Sequence, residues 1–238
     1  VKVLTGISDV TIDKLIEIAY DPYLPGFEYL IPGLIKAFDE AGEDFADLGP
    51  AIEVLRNWDL KVAANSVAMT LAHFYVSRYR AEGENPLNLR GMDQVNYFGT
   101  DSPLRERLEI FTATVEGLNN DFGRWNTHWG QINRFQRLSG DIDLQFDDLQ
   151  PSLPIGMASG RWGALASFGA RRYPGTKRIY GGSGNSFVAV VEFGDKVKAK
   201  SLLAGGQSGD PLSAHFSDQA LAYADGQFKD IAYYKEDV

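Results

Sequence analysis

Apolar residues recur about three and four positions apart through roughly the first half of the chain, the spacing typical of amphipathic helices. The first such segment has Ile12, Leu15, Ile16 and Ala19 on one face, with Thr11 placed to cap its N-terminus. The same spacing predicts further helices over residues 27–38, 46–56, 65–80 and 103–117.

Proline and glycine set the predicted limits of these helices. Pro32 lies inside the second pattern, so we expect a break or a helix start at that point. Gly42 should end that helix. Pro103 should stand in the first turn of the last helix, which we expect to end near Gly117. The glycine- and proline-rich residues 81–103 are predicted to form a long loop, and residues from about 117 to 175 an irregular region.

The pattern changes to a β type in the last sixty or so residues. Two β-prone runs, residues 186–193 and 196–203, flank Gly194 and Asp195 and predict a hairpin. A glycine-rich loop, a helix over residues 217–224 and a final strand over 231–234 are expected to follow. Helices first and strands last indicate the α+β class, with a mainly helical segment at 1–120 and an irregular region followed by strands and a helix at 121–238.

Composition and charge narrow the classes of partner. Apolar residues make up 44% of the chain and charged residues 23%, values typical of globular domains. The formal net charge of -9 and the lack of a basic patch argue against nucleic acid and anionic membrane surfaces as partners. No apolar run approaches the roughly 20 residues that span a bilayer.

The chain contains no cysteine, which excludes disulfides, thiolate metal sites and a cysteine nucleophile. This composition suits an oxidising compartment, so we expect a periplasmic or secreted protein. The first residues, Val1 to Leu4, carry neither an initiator Met nor a signal-peptide pattern. We therefore expect the chain to be a processed or trimmed piece of a longer protein.

Two glycine-rich segments invite comparison with phosphate-binding loops and nucleophile elbows. Residues 205–209 lack the Lys-Ser/Thr pair of a phosphate-binding loop, and Asp210 stands where an elbow requires glycine. Residues 181–185 also lack the closing glycine of the elbow. We expect a tight loop joining a strand to a helix at the first segment and a turn at the second.

Ser208, His215 and Asp218 have the residue types of a hydrolytic triad, but no spacing motif supports that arrangement. An acidic run, Asp141, Asp143, Asp147 and Asp148, suggests a calcium loop. The pattern fails because Phe146 and Ser152 occupy the positions of the required Gly and Glu. The sequence therefore predicts a solvated acidic loop and no metal site.

The three histidines, His73, His128 and His215, show no paired metal-ligand spacing. His73 lies in an apolar helix and is expected to be a hydrogen-bonded core residue, whereas the other two should order loops.

Trp125, Trp129 and Trp162 could form the wall of an acyl pocket, but their types and positions favour buried packing.

Three ordered sets of short motifs extend across nearly the whole chain. Leu-Arg-Asn-Trp-Asp at 55–59 precedes the apolar run 66–71, and Trp-Asn-Thr-His-Trp-Gly-Gln-Ile-Asn-Arg occupies 125–134. The third set is Gly-Asn-Ser-Phe at 184–187, Gly-Gly-Gln-Ser-Gly-Asp-Pro at 205–211 and His-Phe-Ser-Asp-Gln at 215–219. In this order and spacing they resemble the penicillin acylase and acyl-homoserine-lactone acylase family. The hairpin and the closing Gly-Gln-Phe-Lys-Asp are more similar to the lactone or lipopeptide acylases.

The resemblance implies an N-terminal-nucleophile hydrolase with an αββα four-layer sandwich, of which this chain is the C-terminal part of the large subunit. In that family the hydroxyl of a freed N-terminal Ser attacks an amide carbonyl. The α-amine of the same Ser, with a pKa near 8, acts as the base. Backbone N–H groups and an Asn side chain stabilise the oxyanion. Both groups precede the region that this chain resembles, and Val1 is not a Ser.

No catalytic residue and no metal ligand is therefore assigned here, the substrate-binding residues are unknown, and no cofactor is expected. The implied activity is amide hydrolysis of N-acyl compounds such as N-acyl-homoserine lactones, β-lactams or acylated lipopeptides. The implied partners are the small subunit and the preceding part of the large subunit, without which the chain should be inactive. The alternative is a stand-alone, non-catalytic binding or structural module.

Overall fold

The computed structural model describes residues 5–139 and 145–237, and the chain forms two compact units. The helical unit comprises Tyr23–Ile132 and Arg161–Gly163. The sheet unit comprises Val1–Pro22, Asn133–Gly160 and Ala164–Val238. The units are built from interleaved segments, and the division of the chain at residues 120 and 121 stays a prediction. The mixture of helices and sheets confirms the α+β class, whereas the four-layer sandwich stays a prediction.

Most of the predicted helices are present. In the described residues the helices are α1 (Ile12–Ala19), α2 (Leu30–Ala41), α3 (Gly49–Arg56), α4 (Val67–Glu82), α5 (Gly91–Asn96), α6 (Leu104–Phe122), α7 (Trp129–Ile132) and α8 (Ala220–Asp225). Thr11 Oγ1 accepts the N–H of Lys14 at 3.2 Å, the N-cap that the sequence predicts. Pro32 falls in the first turn of α2 and Gly42 follows its last residue, as expected.

The helical unit packs α6 against α2 and α4. Arg107 of α6 is only 1% exposed, and its guanidinium donates to Ser102 Oγ and O and to the carbonyl of Gly33 at 2.8–3.0 Å. A side chain at Gly33 would overlap Gly99, so glycine permits the close approach of the two segments. The buried charge thereby joins three parts of the unit: α6, which carries Arg107, the turn at Ser102, which supplies two acceptors, and α2, which contains Gly33.

Residues 81–103 are not the long loop that the sequence predicts. They contain α5 and, directly after it, a π-helical turn at Tyr97–Asp101. The turn is specified by its contacts: Phe98 is buried against the ring of Tyr79, with centroids 4.2 Å apart, and a side chain at Gly99 would crowd the backbone of Tyr29. Packing on other helices therefore overrides the local glycine signal.

The end of α6 also differs from the prediction. Gly117 lies inside the helix, where a Cβ would stand 3.2 Å from the guanidinium of Arg78 on α4. The helix continues to Phe122 and ends at Gly123, whose φ of 77° is left-handed. Two glycines thus lie near this helix end, and the backbone conformation of the second decides where it stops.

The sheet unit contains two sheets in the described residues. Their strands are β1 (Asn133–Phe135), β2 (Leu153–Pro154), β3 (Phe168–Arg172), β4 (Ile179–Gly184), β5 (Phe187–Glu192), β6 (Lys198–Leu203) and β7 (Lys229–Asp230). The first sheet has the order β2-β1-β4-β3, and β1 and β4 are parallel. The second has the order β5-β6-β7 and contains the predicted hairpin, in which Glu192 pairs with Lys198. Five residues connect its strands instead of a tight Gly-Asp turn.

Two expectations about strands and one about a helix start are wrong. The region predicted to be irregular contains β1, β2 and β3, which are short and pair with other strands: β1 with β2 and β4, and β3 with β4. The final strand is Lys229–Asp230, followed by a single further hydrogen bond from Ile231 N to Ala199 O, so residues 231–234 do not form a strand. The helix expected over 217–224 begins only at Ala220, because residues 215–219 form hydrogen-bonded turns.

Residues 181–184 belong to β4 and do not form the predicted turn. A side chain at Gly181 would overlap the ring of Phe168, and one at Gly182 would overlap the hydroxyl group of Tyr173. Glycine is therefore needed for close packing of aromatic rings on the strand and does not mark a chain reversal. Phe168, Leu202, Ile155 and Tyr223 form a buried cluster that connects both sheets with α8.

Candidate functional site

The glycine-rich segment after β6 is fixed by a single arginine. Arg137, two residues after β1, donates from Nη1 to the carbonyl of Gly206 at 2.9 Å and from Nη2 to that of Ser208 at 2.9 Å. Its guanidinium also lies over the ring of Phe216, 4.8 Å from the centroid. Arg137 and Gly206 are 69 positions apart in the sequence. A cation from a distant part of the chain therefore holds a loop that has no regular structure of its own.

Two glycines make this arrangement possible. Gly205 has a left-handed φ of 88°, and a side chain there would overlap the Arg137 guanidinium. At Gly206 a Cβ would overlap the carbonyl of His215 and crowd the carboxylate of Asp218. The segment lies between β6 and α8, which confirms the expectation of a glycine-dependent connection between a strand and a helix, but the whole connection, residues 204–219, is longer than the tight loop that the sequence predicts.

The structure brings together two of the three residues of the imagined triad. His215 Nδ1 and Asp218 Oδ2 are 2.9 Å apart, and this bond holds the pKa of the Asp218 carboxyl below its usual value. The hydroxyl of Ser208 instead accepts the N–H of Asp210 at 3.1 Å, and the backbone N–H of Ser208 donates to the carbonyl of His215. Ser208 therefore orders the turn, and the three side chains do not form a nucleophile-and-base relay.

A cavity of about 380 Å³ lies beside this loop. Apolar side chains dominate its wall, among them Phe135, Leu153 and Phe216, and Arg137 is also part of it. The Arg137 guanidinium already donates to backbone carbonyls, so it is not positioned as an anion receptor for this cavity.

A larger cavity of about 780 Å³ lies at the turn end of the hairpin, where β5 leads into β6. Three lysines line it, and each is paired with a carboxylate: Lys196 with Glu236 at 2.6 Å, Lys198 with Glu192 at 3.3 Å and Lys200 with Asp13 at 2.7 Å. All three are surface pairs that solvent screens, so they add little to stability. The lysines are neutralised within the chain.

His73 of α4 lies among aromatic rings in the helical unit. Its ring centroid is 4.9 Å from that of Trp129, 5.4 Å from Phe74 and 6.1 Å from Trp162. The expected core position is correct, but within the described residues Nδ1 is enclosed without a hydrogen-bond partner. Burial, aided by the nearby charge of Arg161, lowers the pKa of His73 to about 4, so the ring is neutral at physiological pH.

The tryptophans are distributed as packing residues. Trp129 and Trp162 are buried, at 2% and 3% exposure, and Trp162 packs on Phe27 with centroids 4.8 Å apart. Trp125 is half-buried and His128 is exposed. The buried pair confirms the packing interpretation over an open acyl pocket.

The acidic run is partly outside the described residues, since Asp141 and Asp143 fall there. Asp148 accepts the N–H of Lys177 at 2.7 Å and the hydroxyl of Tyr180 at 2.9 Å, and Asp147 Oδ1 accepts the N–H of Leu149. These carboxylates therefore order turns. In the part of the chain that the structure describes, no group of three or more carboxylate or imidazole side chains is placed to bind a metal ion. The same residues contain no helix both long and apolar enough to cross a membrane.

Comparison with known proteins gives a consistent result along the entire chain. The sequence model of the family described as penicillin amidase matches residues 1–238. The acyl-homoserine lactone acylase PvdQ of Pseudomonas syringae pv. tomato is 26% identical over 229 residues, which cover 90% of this chain and 27% of that protein. PvdQ of Pseudomonas fluorescens is 28% identical over 232 residues, covering 89% of this chain and 26% of that protein. The chain thus spans about a quarter of the length of these curated relatives.

Proposed function

The chain belongs to the penicillin amidase family, and on that premise we propose that it is part of an acylase that hydrolyses the amide bond of N-acyl compounds. The observation that carries the proposal is the family match across all 238 residues together with relatives named as acyl-homoserine lactone acylases. N-acyl-homoserine lactones are accordingly the first substrates to test. β-Lactams and acylated lipopeptides are the other substrate classes in the proposal.

The proposed reaction uses a nucleophile outside this chain. A serine hydroxyl adds to the amide carbonyl, the C–N bond breaks, and the leaving amine takes the proton that the hydroxyl lost. Water then cleaves the acyl-serine ester, which releases a carboxylic acid and restores the hydroxyl. Among the residues described here, Ser208 is engaged with Asp210 and His73 is enclosed by rings, so we assign neither a catalytic role.

The role proposed for this chain is structural support of the catalytic core. Its two sheets and the loop fixed by Arg137 would form part of an αββα sandwich completed by the preceding part of the large subunit and by the small subunit. We further propose a periplasmic or secreted location, because a chain without cysteine is well suited to an oxidising compartment.

The test uses the assembled protein purified from its natural host. Intact-mass and N-terminal analysis should find a chain that begins with Ser. Incubation with N-acyl-homoserine lactones of short and long acyl chains should release a free primary amine, measured with an amine-reactive fluorophore. Lactone opening leaves the amide intact and releases no amine, so this readout separates amide hydrolysis from lactonase activity.

Two outcomes would contradict the proposal. One is an assembled protein that releases no amine from any of the three substrate classes. The other is a homogeneous sample that contains this chain alone and is folded and monodisperse. The second result would favour a stand-alone binding module.

A further inference from the structure

The two faces of strand β5 differ sharply in exposure, whereas on the neighbouring β6 both faces contain buried residues, Ser201 at 5% and Leu202 at 2% exposed. On one face Val188 pairs across the strands with Leu202, which is 2% exposed and belongs to the buried cluster of the sheet unit. Val190, on the same face, is 6% exposed. Helix α1 contacts β5, and Asp13 of α1 pairs with Lys200, so this inner face is covered from within the chain.

The opposite face presents an apolar row, which we define as Phe187, Ala189, Val191 and Phe193, the alternate positions along β5 and its first following residue. Phe187 is 60% exposed, Val191 42% and Phe193 84%. Single exposed apolar residues are ordinary on protein surfaces. Successive apolar residues on one strand face form a contiguous patch, which is a common sign of an interaction surface.

The row lies on an edge strand, since the order of the sheet is β5-β6-β7. Natural edge strands are kept from associating by lysines, prolines, bulges or a covering element. β5 contains neither lysine nor proline, and its six residues pair with β6 without a shift of register. Glu192, at its last position, is its only charged residue. Within residues 5–139 and 145–237 the strand therefore lacks the usual protection, and a covering element is the remaining way to protect it.

We propose that an apolar segment of the same acylase, lying outside this chain, covers the apolar row; this inference rests on the proposed function. The curated relatives are nearly four times as long as the matched region, which leaves ample polypeptide to supply that segment. A second copy of this chain is the less suitable occupant, because each copy carries a formal net charge of -9 and the two would repel one another.

Single cysteines test the proposal, because the chain has none of its own. Phe193→Cys and Val191→Cys place a thiol in the apolar row. Leu212→Cys is the matched control, because Leu212 is an apolar residue of the same unit that is 94% exposed. In the native assembled acylase, maleimide should label the two row cysteines at least about tenfold more slowly than the control, since thiol reactivity follows access. After denaturation the three rates should become equal.

Unmodified protein provides a second measurement that does not depend on how the variants fold. Carbene footprinting of the assembled acylase should label the peptide containing Leu212 strongly and the peptide containing Phe193 weakly. Equal labelling of the two peptides, or equal maleimide rates at the native row and control cysteines, would overturn the proposal. Protection in a sample whose native mass shows only copies of this chain would overturn the assignment of the occupant.

The amine-release assay on the same samples separates this inference from the proposed function. A protected row in a protein that hydrolyses N-acyl amides supports both. Full labelling of the apolar row in a protein that hydrolyses N-acyl amides rejects the proposal that the row is covered and leaves the proposed function in place. If another polypeptide protects the apolar row but no amine is released, the proposal that the row is covered stands and the proposed acylase activity is rejected.

Discussion

Arg137 Nη1 donates a 2.9 Å hydrogen bond to the carbonyl oxygen of Gly206, although the two residues are 69 positions apart. The same guanidinium bonds the carbonyl of Ser208 and lies over Phe216. A charged donor forms stronger hydrogen bonds to carbonyls than a neutral one does. The conformation of the loop between β6 and α8 thus depends on a residue that follows β1.

Replacement of Gly205 tests this dependence. Gly205→Ala would place a methyl group against the guanidinium at a left-handed φ of 88°, so we expect a loss of roughly 2–4 kcal/mol in the free energy of unfolding. Urea titration of the purified protein measures it. Gly209→Ala is the control, since nothing lies within 4 Å of a Cβ at that position, and its stability should change by less than about 1 kcal/mol. Similar losses in both variants would contradict the role assigned to Arg137.

A second prediction concerns the buried charge of the helical unit. Arg107→Met removes the donors that satisfy Ser102 and the carbonyl of Gly33, and should lower the free energy of unfolding by about 3–5 kcal/mol. Arg105→Met is the matched control on the same helix, because its ion pairs with Asp44 and Glu109 are exposed to solvent and their loss should lower the stability far less. Thermal unfolding followed by circular dichroism compares the two, and equal shifts in Tm would reject the distinction.

His73 should make stability depend on pH. Its pKa falls from 6.5 in the unfolded chain to about 4 in the folded protein, so between these values the unfolded chain binds a proton that the folded protein does not. The free energy of unfolding should therefore decrease as the pH is lowered from 6.5 towards 4, by up to about 3 kcal/mol, with this contribution fully regained above pH 6.5.

Urea titrations at a series of pH values measure that contribution. His73→Phe should remove it, whereas His128→Gln, at an exposed histidine, should leave it in place. An unchanged pH dependence in His73→Phe would show that other groups cause the effect.

Several elements could be predicted because their signals are local. Thr11 caps α1 through the N–H of Lys14, three residues away, and Gly42 follows the last residue of α2. The two β-prone runs at 186–193 and 196–203 predict the hairpin because residues that favour strands lie on both sides of the turn-forming Gly194 and Asp195. The ordered motifs likewise indicated the penicillin amidase family, which the match over residues 1–238 confirms.

The glycines show where local signals fail. Gly117 lies within α6, although glycine commonly ends a helix, and Gly181 lies within β4, although glycine commonly marks a turn. In each case the missing side chain makes room for a group from a distant part of the chain, Arg78 at the first and Phe168 at the second. A glycine signal has the same appearance in both uses, so only the neighbouring element distinguishes them.

The sequence by itself determined the helical class of the first half, the hairpin, the acidic and cysteine-free character and the family, because each depends on composition or on residues close together in the chain. The tertiary structure alone decided the role of Arg137, the pairing of β1 with β4 and the apolar row left exposed on β5. These features depend on which distant surfaces meet, and that is set by the packing of the whole unit, where contacts between remote residues outweigh local preference.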